Sequence, residues 1–594
     1  MFLVRILLVV LSLVATAKAW AIITPVAITS DAVPGLSEAR YASLGNAQLN
    51  ASGQIVYSAT LQAGPGNIGP SNDSVLISFN GSLILNAQTG SGNVPGTVGA
   101  NYANFEEFKI TGSGEVLLKA TLADAVDVTD DNNQGFWRLY GGSGSLATRT
   151  GSSLAPGVVS ATYSALGANV SMTQSGDFAF YGQLTNANGV NSNNNFGIWH
   201  YKGPDGALIV RENTMVPGVD GGLFHSFARP ALNMSDQMAF LATIKTGADV
   251  TTANRIGIWV YNEGVGELIA RNGSAEVPGS TSDYAAFDSP IINEAGQVVF
   301  RATLATNQQG LWLYSGTGGT NLAITNTTGI AGLPGASFAS FSNPLLTESG
   351  KVVARSTLTT GIGGITTSND TGLWLFDNTN GDQLLAREGI GGVAGIPGAS
   401  FASFDHLSVI DDSGIYVNAS LRSLSGIVDS TNDEGIWRIP FNGTPELILR
   451  KGDTLAGRTI ADLWLPAGEF DEIPLTGISN ASGELLFHAS FTNGDSGLFL
   501  LSPGAVTEFA NADFDQDGDV DGADFATWQG AYGNTTVGDT DGDSDTDGLD
   551  FLTWQRQYTG YHSLVETMTV PEPSVLLLVA IALVVAQARM RCDP

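Results

Sequence analysis

Apolar and polar residues alternate along most of this chain in short runs. In Val298-Val299-Phe300-Arg301-Ala302-Thr303-Leu304, residues Val298, Phe300, Ala302 and Leu304 fall on one face, which is the two-residue period of a half-buried strand. Glycine-bearing polar segments such as Asn293-Glu294-Ala295-Gly296 separate the runs and read as hairpin turns. Only near the C-terminus does the period change. Phe525, Trp528 and Tyr532, and again Phe551, Trp554 and Tyr558, stand at i, i+3 and i+7, one face of a short helix.

The strand pattern repeats. Pro-Gly recurs at Pro34, Pro95, Pro156, Pro217, Pro278, Pro334 and Pro397. Between these marks the order is fixed: an aromatic segment, a turn, an alternating strand, a tryptophan strand and a final run ending in arginine. The turn position recurs eight times, at Gly53, Gly114, Gly176, Asp236, Gly296, Gly350, Gly414 and Gly483, with only the fourth unit departing from glycine. Tryptophan recurs at Trp137, Trp199, Trp259, Trp312, Trp374 and Trp437, with Phe499 in the last unit. Each unit holds about four short strands and cannot bury both faces alone, so the units must pack on one another. The expectation is an all-β fold: an eight-bladed β-propeller, with seven blades as the alternative and a β-solenoid as the runner-up. A ring needs its seam closed. Ala27-Ile28-Thr29 precedes Val33-Pro34-Gly35 as Ala323-Ile324-Thr325 precedes Leu333-Pro334-Gly335. Residues 25–30 are therefore expected to be the fourth strand of the eighth blade, pairing near Phe499, with the blade's other strands at about 475–501 and residues 505–507 as a rival. The tryptophans read as core between blades rather than a sugar-stacking set. Arg149, Arg211, Arg271, Arg387 and Arg450 share a strand position and read as ion pairs or caps at blade edges.

The helical segments follow two acidic loops. Calcium takes six to eight oxygen ligands, and a twelve-residue loop supplies them from positions 1, 3, 5, 7, 9 and 12. In the first loop these are Asp513, Asp515, Asp517, the carbonyl of Asp519, Asp521 and Asp524, with Gly518 at the sharp turn and Val520 as the apolar plug. In the second they are Asp539, Asp541, Asp543, Asp545, Asp547 and Asp550, with Ser544 and Thr546 in place of the glycine and the plug. Calcium is the expected cofactor, more weakly held in the second loop. A duplicated loop-helix with Asp at position 12 resembles the type I dockerin module of cellulosomal proteins. That resemblance implies a cohesin-like partner, although Gly522-Ala523 and Gly548-Leu549 stand where dockerins carry small hydroxylated residues.

Both ends read as targeting segments. Arg5, an apolar run over residues 6–14 and Ala17-Lys18-Ala19-Trp20-Ala21 make a secretory signal, cut after Ala19 or Ala21. Val570-Pro571-Glu572-Pro573-Ser574, an apolar run over residues 575–586, and Arg589 and Arg591 resemble the PEP-CTERM sorting signal. This implies processing by an exosortase and contact with the membrane only through that helix. The Asn-x-x-Gly-x-Val-x-Phe repeat also resembles tandem-repeat families of exported bacterial proteins. The expected organisation is signal peptide 1–21, repeat domain 22–508, dockerin-like module 509–560, and linker with sorting signal 561–594, in a protein of the cell envelope, surface or extracellular matrix.

Composition narrows the function. A net charge of −32 disfavours nucleic acid and anionic lipid as partners. The sole cysteine, Cys592, lies in the tail that sorting is expected to remove, so the fold must rely on packing, with bound metal as a further candidate source, and not on disulfides. His200, His225, His406, His488 and His562 are scattered singly. No catalytic motif is evident, and Glu294, Glu348 and Asp412 sit in turns where a solvated role is the default. The sequence therefore favours a non-catalytic surface or matrix scaffold and binding platform, with an extracellular polysaccharide as a candidate ligand. The second class is a polysaccharide-acting enzyme of the glycoside hydrolase type, suggested by the company dockerins keep.

Overall fold

A computed structural model describes residues 22–503, apart from 92–93, 246, 248, 275, 317 and 467–476, and residues 512, 514, 520, 522–533, 538, 546, 550–551 and 554. Both targeting segments, and the rival closing residues 505–507, lie outside the described residues. The chain divides into two compact units, one spanning Trp20–Pro503 and the other containing Gly504–Pro594.

The first unit is an eight-bladed propeller of antiparallel sheets, numbered in chain order, with blade 1 running from Tyr41 to Gln88, blade 2 from Tyr102 to Arg149, blade 3 from Tyr163 to Arg211 and blade 7 from Phe401 to Arg450. Blade 4 shows the plan, with Leu223–Phe227, Met238–Lys245, Ile256–Asn262 and Val265–Arg271 hydrogen-bonded in chain order. Blade 8 is assembled from both ends of the unit. Arg458–Trp464, Leu485–Phe491 and Ser496–Ser502 supply three strands and Ile22–Ile28 supplies the fourth. The N-terminal strand runs antiparallel to Ser496–Ser502, with Pro25 opposite Phe499, as the repeat predicts. The first strand of this blade starts earlier than the sequence suggested, because its segment carries no Pro-Gly mark.

The core lies between blades. Separate clusters join neighbouring sheets around the ring, and one of them gathers residues of blades 7, 8 and 1 together with Val26, Ala27 and Ile28. Each of the six repeat tryptophans sits in such a cluster and is fully buried. A first-strand aromatic meets its face edge-on, as in Tyr163–Trp199 (5.0 Å, 79°) and Tyr284–Trp312 (4.9 Å, 80°). The Pro-Gly mark has a matching role. The Nε1 of Trp137, Trp199, Trp259 and Trp312 donates to the carbonyl of Pro95, Pro156, Pro217 and Pro278, at 3.0–3.1 Å. In unit six Pro334-Gly335 is drawn into the strand Leu333–Phe341, and Trp374 Nε1 has no hydrogen-bond partner among the described residues.

The glycine two residues before each tryptophan gives the indole room to fold back. A Cβ on Gly257 would stand 2.7 Å from Trp259 Cη2 and 2.9 Å from the Ala270 carbonyl oxygen. Gly257→Ala is therefore expected to cost about 1–3 kcal/mol, the usual range for overpacking a core, measured as a lower urea midpoint at unchanged m-value.

The turns stitch the blades together. Asn50 Nδ2 donates to the Thr111 carbonyl (2.6 Å), Asn233 to that of Asn293 (2.9 Å), Asn293 to that of Thr347 (2.9 Å) and Asn480 to that of Asn50 (3.1 Å). The last of these crosses the seam. Asp236, the one non-glycine at the turn position, holds φ 61°, a conformation aspartate tolerates better than most residues.

Candidate functional site

Of the twelve sequence-predicted calcium ligands, Asp524 and Asp550 are described. The remaining ten, Asp513, Asp515, Asp517, Asp519, Asp521, Asp539, Asp541, Asp543, Asp545 and Asp547, lie outside the described residues. Asp524 is on the helix Gly522–Ala531, and its Oδ1 accepts the Phe514 N–H at 2.6 Å. That bond draws position 12 of the first loop back onto position 2. Asp524 and Asp550 are both fully buried, as are the two plug-position residues Val520 and Thr546. The Thr546 carbonyl accepts the Gly533 N–H at 2.9 Å.

The two copies pack through their aromatic residues. Phe525 meets Trp554 at 4.9 Å and Trp528 meets Phe551 at 4.8 Å. Each half thus offers its Phe to the other half's Trp, an exchange that the duplication makes symmetric. Within the halves Phe525–Trp528 and Phe551–Trp554 stack at 5.7 and 5.6 Å. The aromatic face of the sequence pattern is therefore the contact between the copies, while Tyr532, half exposed, lies just past the helix.

In the propeller the repeated polar residues are used internally. Arg211, Arg271, Arg387 and Arg450 donate through Nε to the carbonyls of Asn194, Asn254, Asn369 and Asn432 at 2.5–2.6 Å. Arg149 instead donates through Nη2 to the Asp127 carbonyl at 2.7 Å. They are caps. Those asparagines form a repeat feature that the sequence reading missed. Each accepts a backbone N–H three residues earlier, as from Thr251 to Asn254 (2.7 Å) and from Asp429 to Asn432 (2.8 Å). The signal was visible as an asparagine shortly before each Gly-x-Trp. The turn carboxylates are also engaged: Glu294 accepts the Met234 N–H at 2.7 Å and Glu348 accepts the Glu294 N–H at 2.9 Å, each from the turn of the preceding blade. Asp412 accepts the Ser349 hydroxyl. At the joint of blades 7 and 8, burial and then the neighbouring Asp462 push the Glu434 carboxyl up to about 8. Asn418 Nδ2 donates to Glu434 Oε1 at 3.1 Å.

Solved structures of similar fold include the Dos1 propeller, at 10% identity over 78% of this chain and 94% of that one, with a TM-score of 0.36. The WD40 domain of SCAP from fission yeast matches at 9% identity over 82% and 95% of the two chains, with a TM-score of 0.34. Sqt1 of Saccharomyces cerevisiae matches at 10% identity over 82% and 99%, with a TM-score of 0.32. No curated protein matches the sequence. A family model described as a family of unknown function, DUF7453, matches residues 23–322 and 304–512. Those stretches run from the closing strand through the last blade, and the chain belongs to that family.

Proposed function

We propose that this chain is an exported, non-catalytic scaffold of the cell surface or extracellular matrix, whose propeller is a binding platform and whose acidic C-terminal duplicate is ordered by calcium. The observation that carries the calcium reading is the burial of both position-12 carboxylates, Asp524 and Asp550, in a segment built around exchanged aromatic pairs. A buried carboxylate needs a cation or dense hydrogen bonding to offset its lost hydration. The described residues fit the ion: a buried carboxylate at position 12 that accepts the Phe514 N–H, and a buried plug at position 8. Asp513, Asp515, Asp517, Asp519, Asp521 and Asp524 would hold one calcium ion. Asp539, Asp541, Asp543, Asp545, Asp547 and Asp550 would hold the other. Calcium supplies charge neutralisation, without which the loop carboxylates repel one another.

The scaffold reading is supported by the way the propeller spends its repeated Trp, Asn and Arg residues on joining blades and capping loops. An exosortase-type enzyme would process the C-terminus, and a cohesin-like protein or an extracellular polysaccharide would be the partner.

Calorimetric titration of the full chain is expected to show two calcium sites. Asp524→Ala should remove the first and Asp550→Ala the second. Identical titrations for the native chain and both variants would overturn the assignment. Incubation with a polysaccharide panel should give retention without new reducing ends, and release of such ends would overturn the non-catalytic reading.

A further inference from the structure

The residue after the turn position reaches the turn glycine of the following blade at several joints, as Gln54 does Gly114 and Gln237 does Gly296, and where the residue after the tryptophan is long it joins them. At the joint of blades 2 and 3 these are Glu115, Arg138 and Gly176. Arg138 Nη1 pairs with Glu115 Oε2 at 3.1 Å, Nη2 donates to the Gly203 carbonyl at 3.2 Å, and a Cβ on Gly176 would stand 3.2 Å from Nη1. A long cation fills the space that glycine leaves.

The joint of blades 3 and 4 carries a different set: a shorter carboxylate after the turn, the one histidine that follows a repeat tryptophan, and a carboxylate in place of the turn glycine. These are Asp177, His200 and Asp236, and Asp236 is the one turn residue of the eight that is not glycine. One ligand atom from each of the three lies within 4.8 Å of the other two. His200 is 8% exposed, and its Nε2 has no hydrogen-bond partner among the described residues. That nitrogen stands 3.8 Å from Asp236 Oδ1, too far for a hydrogen bond. Asp177 is held in place, accepting the Gly203 N–H at 3.2 Å and the Ser175 hydroxyl at 3.2 Å. The joint also attracts a cation from within the chain, since Lys202 Nζ lies 2.7 Å from Asp236 Oδ2 on a side chain that is 66% exposed.

We propose that Asp177, His200 and Asp236 bind a borderline dication of the zinc, cobalt or nickel class and so clamp blade 3 to blade 4. The donor set selects the class. One imidazole nitrogen with two carboxylates suits these metals, whereas calcium and magnesium prefer all-oxygen shells. Three protein donors leave the remaining positions to water or to an external ligand. The exposed Lys202 ammonium pairs with Asp236 Oδ2 and so competes with the metal for that carboxylate. This site is independent of the calcium loops.

The test is titration of the full chain with Co2+ in excess Ca2+, read by the visible absorption of nitrogen-ligated cobalt, alongside thermal unfolding with and without Zn2+. The native chain should bind one cobalt with a visible band and unfold at a higher temperature in zinc. Asp236→Gly restores the residue that the other seven turns carry. It should fold at least as well as the native chain, yet lose cobalt affinity by at least about tenfold, since losing a ligand should cost no less than losing a supporting residue. His200→Asn should lose the visible band, and Lys202→Ala should bind more tightly. A native chain with no visible cobalt band, or Asp236→Gly and His200→Asn variants that bind as the native chain does, would overturn the proposal.

Discussion

A chain lacking residues 22–28 is expected to lose the closed ring and to aggregate. The segment pairs with Ser496–Ser502 along most of its length, and Val26, Ala27 and Ile28 are buried in the cluster joining blades 7, 8 and 1. Thr29 extends the pairing, with its N–H donating to the Ser496 carbonyl at 2.8 Å and its Oγ1 accepting the Ser496 N–H at 2.9 Å. Removal leaves the last strand of blade 8 as a long apolar edge, the kind of surface that recruits other chains. Burying three aliphatic side chains stabilises by several kcal/mol at ~25 cal/mol per Å2, a large part of a typical ~5–15 kcal/mol stability. Light scattering should show association, and calorimetry a lower and broader transition. A peptide of residues 22–29 added in excess should suppress both by occupying the edge. A truncated chain that stays monomeric with an unchanged transition would show that the Asn480-to-Asn50 stitch and the core close the seam unaided.

Acid should weaken the same seam. His488, on the second strand of blade 8, is 3% exposed, and its Nε2 meets the Gly45 carbonyl oxygen of blade 1 at 3.0 Å. Its ring stacks on Trp464 at 5.2 Å. Burial lowers the imidazole to about 4, against about 6.5 in an unfolded chain. As pH falls through 6.5 the unfolded chain takes up the proton first, so the folded state loses ground until pH 4 and no further below. The stability is fully present above 6.5. The loss approaches about 3 kcal/mol, from ~1.4 kcal/mol per unit. Glu434, raised to about 8, and Glu388, raised to about 7, work in the opposite sense, because each holds a proton in the fold that the unfolded chain releases. The His488 share must therefore be read as a difference. Urea unfolding at pH 7 and pH 4, in calcium, should show the native chain losing about 3 kcal/mol more than His488→Gln. Equal losses would remove His488 from the acid response.

The ring was legible because the same packing task recurs in every blade and is solved with the same residues. Pro-Gly, Gly-x-Trp and the turn glycine mark Trp259 and its equivalents as core from the sequence alone. The closing strand was legible for the same reason, since Ala27-Ile28-Thr29 repeats a pattern whose place in a blade is known. Positions that break the pattern were harder to read. Arg458–Trp464 carries none of these marks, so the first strand of blade 8 was placed too late. Asp177, His200 and Asp236 each look like an isolated substitution in the sequence. Only the ring geometry shows that the residue after the turn, the residue after the tryptophan and the next turn share one joint. The arginine caps were half legible: a shared position implied a shared task, but the partner is a backbone carbonyl, which no side-chain pattern reveals. In the acidic duplicate the i, i+3, i+7 aromatics predicted a face, and Phe525–Trp554 with Trp528–Phe551 supply its partner.

Hydrogen exchange on the full chain, with calcium and again with a chelator, tests the central claim most directly, because binding confined to the folded form must appear as added protection. The expected result is that amides of the helix Gly522–Ala531 and around Asp550 exchange slowly in calcium and rapidly without it, while the blades keep their protection in both. Equal exchange of the acidic segment in the two conditions would contradict the account.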